Sequence, residues 1–80
     1  MDIVFDYEKL RHRIKEVLGT QDRFAEEIGI GRVSLSQSLN NKREFSTGEI
    51  IRGAKALNIS EGDIQDYFFT VKVQKSEPTM

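Results

Sequence analysis

The sequence predicts an all-α fold, a compact domain of five short helices with a short extended C-terminal tail. Repeated capping signals divide the chain into short segments, and each segment carries apolar residues at helical spacing. The only proline is Pro78, so no proline interrupts a helix before that position. The 80 residues suffice for one thin core. Because they include no cysteine, disulfides cannot stabilise this core and packing must do so.

Helices 1 and 2 are delimited by small polar residues and glycines. Asp6, preceded by the apolar Phe5, is predicted to open helix 1, and Gly19 to end it. Thr20 is the predicted N-cap of helix 2, and Gly29 ends that helix with a left-handed backbone. The apolar stripe of helix 1 consists of Leu10, Ile14, Val17 and Leu18.

Helix 3 is predicted to follow a tight turn. Ala25 lets helix 2 approach closely, and Gly29 supplies the positive φ that the turn needs. The helix opens at Gly31 and runs to about Asn40, and Asn41 takes the left-handed position after it.

Helices 4 and 5 begin with the same capping device. Ser46 and Glu49 form a capping box at the start of helix 4, and Ser60 with Asp63 repeats the pattern for a short helix 5 that ends near Tyr67. The predicted buried face of helix 4 consists of Ile50, Ile51, Ala54 and Leu57.

The two ends of the chain are predicted to be extended. Residues 70–74 alternate as a strand does, and residues 3–5 are candidates to pair with residues 69–71. We expect one domain over residues 1–75 and a flexible tail over residues 76–80.

Composition excludes several functional classes. No run of residues is long and apolar enough to span a membrane, and no signal peptide opens the chain, so we expect a cytoplasmic protein. A single histidine and no cysteine leave no metal site, and we expect neither a cofactor nor an enzyme. The net charge is −1, but residues 9–55 carry ten bases against six acids.

The outer face of helix 3 suits recognition of DNA. Its side chains lie within an arc of about 140° and can hydrogen-bond base edges or contact a thymine methyl group. The predicted base contacts are Arg32, Val33, Ser36 and Gln37. The predicted phosphate contacts are Gln21, Asn40, Asn41, Lys42 and Arg43.

Two segments, Gln21–Gly31 and Leu35–Asn40, resemble the helix-turn-helix of the phage lambda repressor and Cro family. The likeness continues through Lys42 and Glu49–Ile59 and spans roughly residues 7–67. Leu39–Lys42 and Tyr67–Phe69, among other residues, also look like small prophage regulators of Gram-positive bacteria.

The resemblance implies a lambda-repressor-like transcriptional regulator. In that family a homodimer binds double-stranded operator DNA and places helix 3 in the major groove. The chain departs from the family pattern at Gly31, Ser38 and Asn41; Asn41 stands where the family usually has glycine.

Three consecutive aromatic residues, Tyr67–Phe69, allow two interpretations. They either fold back over helices 1 and 5 or form, with Ile64 and the strand Val71–Val73, a self-complementary dimer patch, in which the predicted contacts are Ile64, Tyr67, Phe68 and Phe69. The patch also supports an alternative function, a protein-interaction module such as an antitoxin or an anti-repressor partner.

Overall fold

The computed structural model describes residues 3–72, and these form a bundle of five short α-helices, as predicted. The helices are α1 (Glu8–Leu18), α2 (Gln21–Ile28), α3 (Arg32–Leu39), α4 (Thr47–Ala56) and α5 (Ile64–Phe68). A single 3-10 turn, Glu61–Asp63, leads into α5. None of these helices has the length and apolar character needed to cross a bilayer.

The predicted caps of α2 and α4 are confirmed. The Thr20 hydroxyl accepts a hydrogen bond from the Arg23 amide, which starts α2. Ser46 and Glu49 satisfy each other's backbone amides in a complete capping box at α4. Each cap pairs helix-terminal N–H groups that would otherwise lack a partner within the helix.

Two predicted left-handed residues end their helices as expected. Gly29 has φ +78° between α2 and α3, and Asn41 has φ +62° after α3. Because L side chains rarely adopt positive φ, these residues determine the directions in which the chain leaves the two helices.

The core lies where α2 crosses α4, with α1 and α5 packed beside them. Phe24 and Phe68 are fully buried there, and Gly53 of α4 makes room for both rings. A Cβ at Gly53 would lie 3.0 Å from the Phe24 ring and 3.3 Å from the Phe68 ring. The other buried apolar side chains are Tyr7, Leu10, Ile14, Ala25, Ile28, Leu35, Leu39, Ala54 and Leu57.

The predicted pairing of the two ends of the chain is confirmed as one antiparallel bridge between Phe5 and Val71. The Asp6 amide donates to the Thr70 carbonyl, and the Lys72 amide donates to the Val4 carbonyl, each at 2.7 Å. We call residues 4–6 and 70–72 the terminal ribbon. The predicted tail, residues 76–80, lies outside the described residues.

Some local predictions were wrong. Helix α1 begins after Tyr7 rather than at Asp6, although the Asp6 carboxylate accepts a bond from the Glu8 amide. Val17 and Ile51 are 43% and 47% exposed, because α1 and α4 bury other faces against their neighbours. The Ser60 hydroxyl donates to Asp63 instead of capping the backbone, so this segment starts as a 3-10 turn.

Candidate functional site

The residues predicted to read DNA bases lie on the open side of α3. Arg32, Val33, Ser36 and Gln37 are all exposed, and Val33 is 71% exposed. Leu35, Ser38 and Leu39 form the inner face of the same helix. The face of α3 is therefore accessible to a macromolecule, but its exposure does not specify which kind.

The charges around α3 do not favour a nucleic acid. Residues 20–40 carry two basic and three acidic side chains, a net charge of −1. The Arg32 guanidinium lies 3.4 Å from the Asp22 carboxylate, which offsets its charge. Phosphate recognition depends on clustered positive charge, and this pair of helices lacks it.

Several other arginines form contacts within the domain. Arg11 donates to the Leu39 carbonyl, and Arg13 donates to the Leu57 carbonyl, each at 3.0 Å. Arg52 donates to the Ile28 carbonyl at the end of α2, also at 3.0 Å. Three of the ten basic side chains counted over residues 9–55 therefore hydrogen-bond the ends of neighbouring helices.

The residues predicted to bind phosphates divide into two groups. Gln21 and Lys42 are exposed, and the Asn40 side chain donates to the Ser36 carbonyl. By contrast, the Asn41 amide bonds the backbone of Phe5, and Arg43 bonds Ser38 and Glu49. Asn41 and Arg43 thus have structural partners that the sequence pattern did not reveal.

A partly buried ion pair joins the loop after α3 to α4. Arg43 donates to both carboxylate oxygens of Glu49, at 3.0 and 2.6 Å, and to the Ser38 hydroxyl at 2.7 Å. Hydrogen bonding to Arg43 lowers the pKa of Glu49, which outweighs the effect of burial, and the Ser46 amide adds to the lowering. The same bond to Glu49 raises the pKa of Arg43.

The predicted aromatic patch is split between the core and the surface. Phe68 is 1% exposed and is therefore wrong as a dimer contact, because its ring packs beneath Phe45 and beside Gly53. Ile64 and Tyr67 are half-buried, and Lys9 lies over the Tyr67 ring. Phe69 alone of the three aromatic residues is exposed, at 45%.

Phe69 lies at the edge of an open cleft of about 480 Å³ between the chain ends and the loop that joins α3 to α4. We call this the aromatic cleft. Its apolar lining consists of Phe5, Tyr7, Phe45, Ile50, Phe68 and Phe69, and its polar lining of Asn41, Lys42, Arg43 and Glu44.

The aromatic rings that line the cleft pack edge to face. Tyr7 and Phe45 meet with centroids 5.6 Å apart, and Phe5 and Phe69 with centroids 6.1 Å apart. Burial raises the pKa of the Tyr7 hydroxyl, and the negative charge of Glu44 raises it further. The cleft is therefore a preformed apolar surface with a neutral phenol in its wall.

Two exposed apolar residues of the chain ends are neighbours of Phe5, which lines the aromatic cleft. Ile3, two residues before Phe5, is 65% exposed, and Val71, opposite Phe5 in the terminal ribbon, is 55% exposed. Exposed apolar surface is typical of sites that bind another protein. In residues 3–72 no group of three or more metal-binding side chains comes together.

The family model described as a protein of unknown function (DUF739) matches residues 3–71. The chain belongs to the DUF739 family. A search of curated proteins gave no match.

A solved structure shares the fold. It is the solution structure of the modulator of repression (MOR) of the temperate bacteriophage TP901-1 from Lactococcus lactis. The two sequences are 36% identical, the TM-score is 0.72, and the match covers 88% of this chain and 95% of that chain.

These comparisons correct the assignment made from the sequence. The chain is similar to a modulator of repression and is not a member of the lambda repressor and Cro group, although the helix-turn-helix pattern suggested it. The predicted function, reading operator DNA with α3, is wrong, and the predicted partner, operator DNA bound by a homodimer, is wrong with it. The alternative, a protein-interaction module such as an anti-repressor partner, agrees better with the comparison.

The sequence patterns gave residues of the aromatic cleft other roles. Phe5 was predicted to precede the first helix cap and to pair with the C-terminal segment, and Asn41 was predicted to be a left-handed residue and a phosphate contact. Residues so far apart in sequence come together only through the crossing of α2 and α4 and the pairing of the chain ends.

Proposed function

We propose that this protein is a modulator of repression that binds a phage-type repressor protein through the aromatic cleft and its exposed rim. The observation that carries the proposal is the likeness to MOR, which extends over 95% of that chain at 36% identity. The activity is binding alone, without an enzymatic step or a cofactor, and it belongs in the cytoplasm beside the repressor.

The chemistry of the aromatic cleft supports a protein partner. Aromatic side chains are enriched in the buried centres of protein interfaces, where a few of them supply most of the binding energy. Phe69 is half exposed beside a cleft that is already open, so an apolar side chain of the partner can bury it without rearrangement of the helices.

The effect on repression follows from mass action. A repressor that is held by this protein leaves the pool that binds operator DNA, provided that the two complexes exclude each other. The apparent operator affinity then falls as the concentration of the modulator rises above the Kd of the protein complex.

Phe69→Ser tests the site. The repressor encoded in the same genome is purified, and its binding to each variant is measured by isothermal titration calorimetry. Loss of the Phe69 ring should weaken binding at least about tenfold, the scale of an interface hot spot. Val71→Ser repeats the test at a second residue, which is 55% exposed.

The matched control is Val33→Ser on α3, which is 71% exposed and does not line the cleft. We expect it to bind the repressor as the wild type does. Weakened binding by Val33→Ser with normal binding by Phe69→Ser and Val71→Ser would place the interface on α3 instead. Absence of binding by the wild-type protein would refute the proposed function.

A further inference from the structure

Asn41 combines an uncommon backbone with an unusual side-chain contact. Its φ of +62° is a conformation that glycine adopts at less cost. Its side chain makes two hydrogen bonds to one residue 36 positions away: Oδ1 accepts from the Phe5 amide at 2.8 Å, and Nδ2 donates to the Phe5 carbonyl at 2.9 Å.

These two bonds reproduce the pairing of a neighbouring strand. Along one edge of residues 4–6, the backbone groups of Val4 and Asp6 hydrogen-bond those of Lys72 and Thr70, respectively. The backbone groups of Phe5 point to the other side, where the Asn41 amide takes the place that a third strand would occupy. Residues 4–6 are therefore hydrogen-bonded along both edges, although they form one β-bridge, between Phe5 and Val71.

The position of Phe5 determines the shape of the aromatic cleft. Its ring contacts Tyr7 and Phe69, with centroids 6.0 and 6.1 Å away, and so joins the buried wall to the exposed rim. Phe5, Tyr7 and Asn41 also line a second hollow, so the Asn41 contact lies between the two depressions.

We propose that Asn41 is the positioning residue of the aromatic cleft, whose side-chain amide fixes Phe5 so that the repressor meets a preformed surface. The inference rests on the proposed function for the nature of the partner. Glycine would satisfy the left-handed backbone but make neither bond, whereas the Asn41 amide presents an acceptor and a donor to the Phe5 backbone on two separate atoms. Ordering the wall before binding lowers the cost of association.

Asn41→Gly tests this role, because glycine keeps the left-handed backbone and removes both bonds. The matched control is Asn58→Gly, since Asn58 is exposed and has φ +58° after α4. Asn41→Asp is a second variant, which retains an acceptor for the Phe5 amide but directs a carboxylate oxygen at the Phe5 carbonyl.

Hydrogen exchange and repressor binding are both measured without denaturant, under conditions in which circular dichroism shows that every variant is folded. Hydrogen exchange of the Phe5 amide, followed by NMR, should be at least about tenfold faster in Asn41→Gly and unchanged in Asn58→Gly. The affinity for the repressor should fall about threefold to thirtyfold in Asn41→Gly and in Asn41→Asp, and should not change in Asn58→Gly.

A merely structural role would lower global stability without a selective change at Phe5 or in affinity. Unaltered exchange at Phe5, or unaltered repressor binding despite faster exchange, would overturn the proposal. If the wild-type protein does not bind the repressor, the proposed function fails. Hydrogen exchange of the Phe5 amide and NMR contacts between the Phe5 and Phe69 rings, both measured in the free protein, still decide whether Asn41 fixes Phe5 in the aromatic cleft.

Discussion

At the scale of single residues, Gly53 shows how closely this small core is packed. It lies in the interior of α4, where glycine disfavours a helix by roughly 1 kcal/mol relative to alanine. The structure shows the compensation, because a Cβ there would press on Phe24 and Phe68, both of which are enclosed. Buried rings have little room to move aside.

We predict that Gly53→Ala lowers the free energy of unfolding, by about 1 kcal/mol net, because overpacking typically costs about 1–3 kcal/mol and alanine recovers part of it as helix propensity. The measurement is urea denaturation followed by circular dichroism. Gly48→Ala is the matched control in the same helix, since its Cβ would meet only the flexible Arg52 guanidinium, at 3.2 Å. Equal stability of the two variants would show that the rings adapt.

At the scale of helices, two similar sequence patterns give different starts. Ser46 and Glu49 cap α4, whereas Ser60 and Asp63 bond each other through their side chains and leave the backbone to a 3-10 turn. Glu is long enough to reach back to the N-cap amide, and its carboxylate is further held by Arg43. A capping box therefore depends on the length and the partners of its acidic residue as well as on spacing.

Ser46→Ala should destabilise the domain by about 1 kcal/mol, the usual cost of losing an N-cap side chain. Ser60→Ala is the control, because its hydroxyl caps no backbone amide, and we expect a change within about 0.5 kcal/mol. Thermal and urea unfolding of both variants check the prediction. A larger loss for Ser60→Ala would contradict this account of the two helix starts.

At the scale of the whole molecule, the ion pair between Arg43 and Glu49 couples stability to pH. The folded state lowers the pKa of Glu49 below its ordinary value of 4.5, so in acid the unfolded chain takes up this proton first. The stabilisation is therefore complete above the unfolded pKa and is lost as the pH falls through the folded pKa.

We predict that the free energy of unfolding falls as the pH drops below about 4.5, and that Glu49→Gln has a shallower dependence there. Glu49→Gln should also be less stable at pH 7, because it leaves Arg43 without its charged partner. Urea titrations from pH 3 to pH 7 provide the comparison, with Glu44→Gln as the exposed control. Parallel pH curves for the wild type and Glu49→Gln would show that the pair does not govern acid unfolding.

Much of the local structure could be predicted from the sequence. The caps at Thr20 and Ser46 and the left-handed turns at Gly29 and Asn41 depend on interactions within a few residues, which a linear pattern records. The five helices could therefore be predicted, and the extended character of the two chain ends also suggested that they pair. One residue of the aromatic cleft's rim, Phe69, was also named, within a patch assigned to dimerisation.

Which side chains remain available to a partner depends on how the helices pack. Phe68 and Phe69 are adjacent and chemically identical, yet Phe68, at the end of α5, is buried in the core and Phe69, which follows the helix, is exposed. Arg43 has a partner six residues away, and Asn41 one 36 residues away. The proposed function rests on such contacts, since Arg43, predicted to bind phosphate, is bonded to Glu49 within the fold and the aromatic cleft exists only once the chain ends meet.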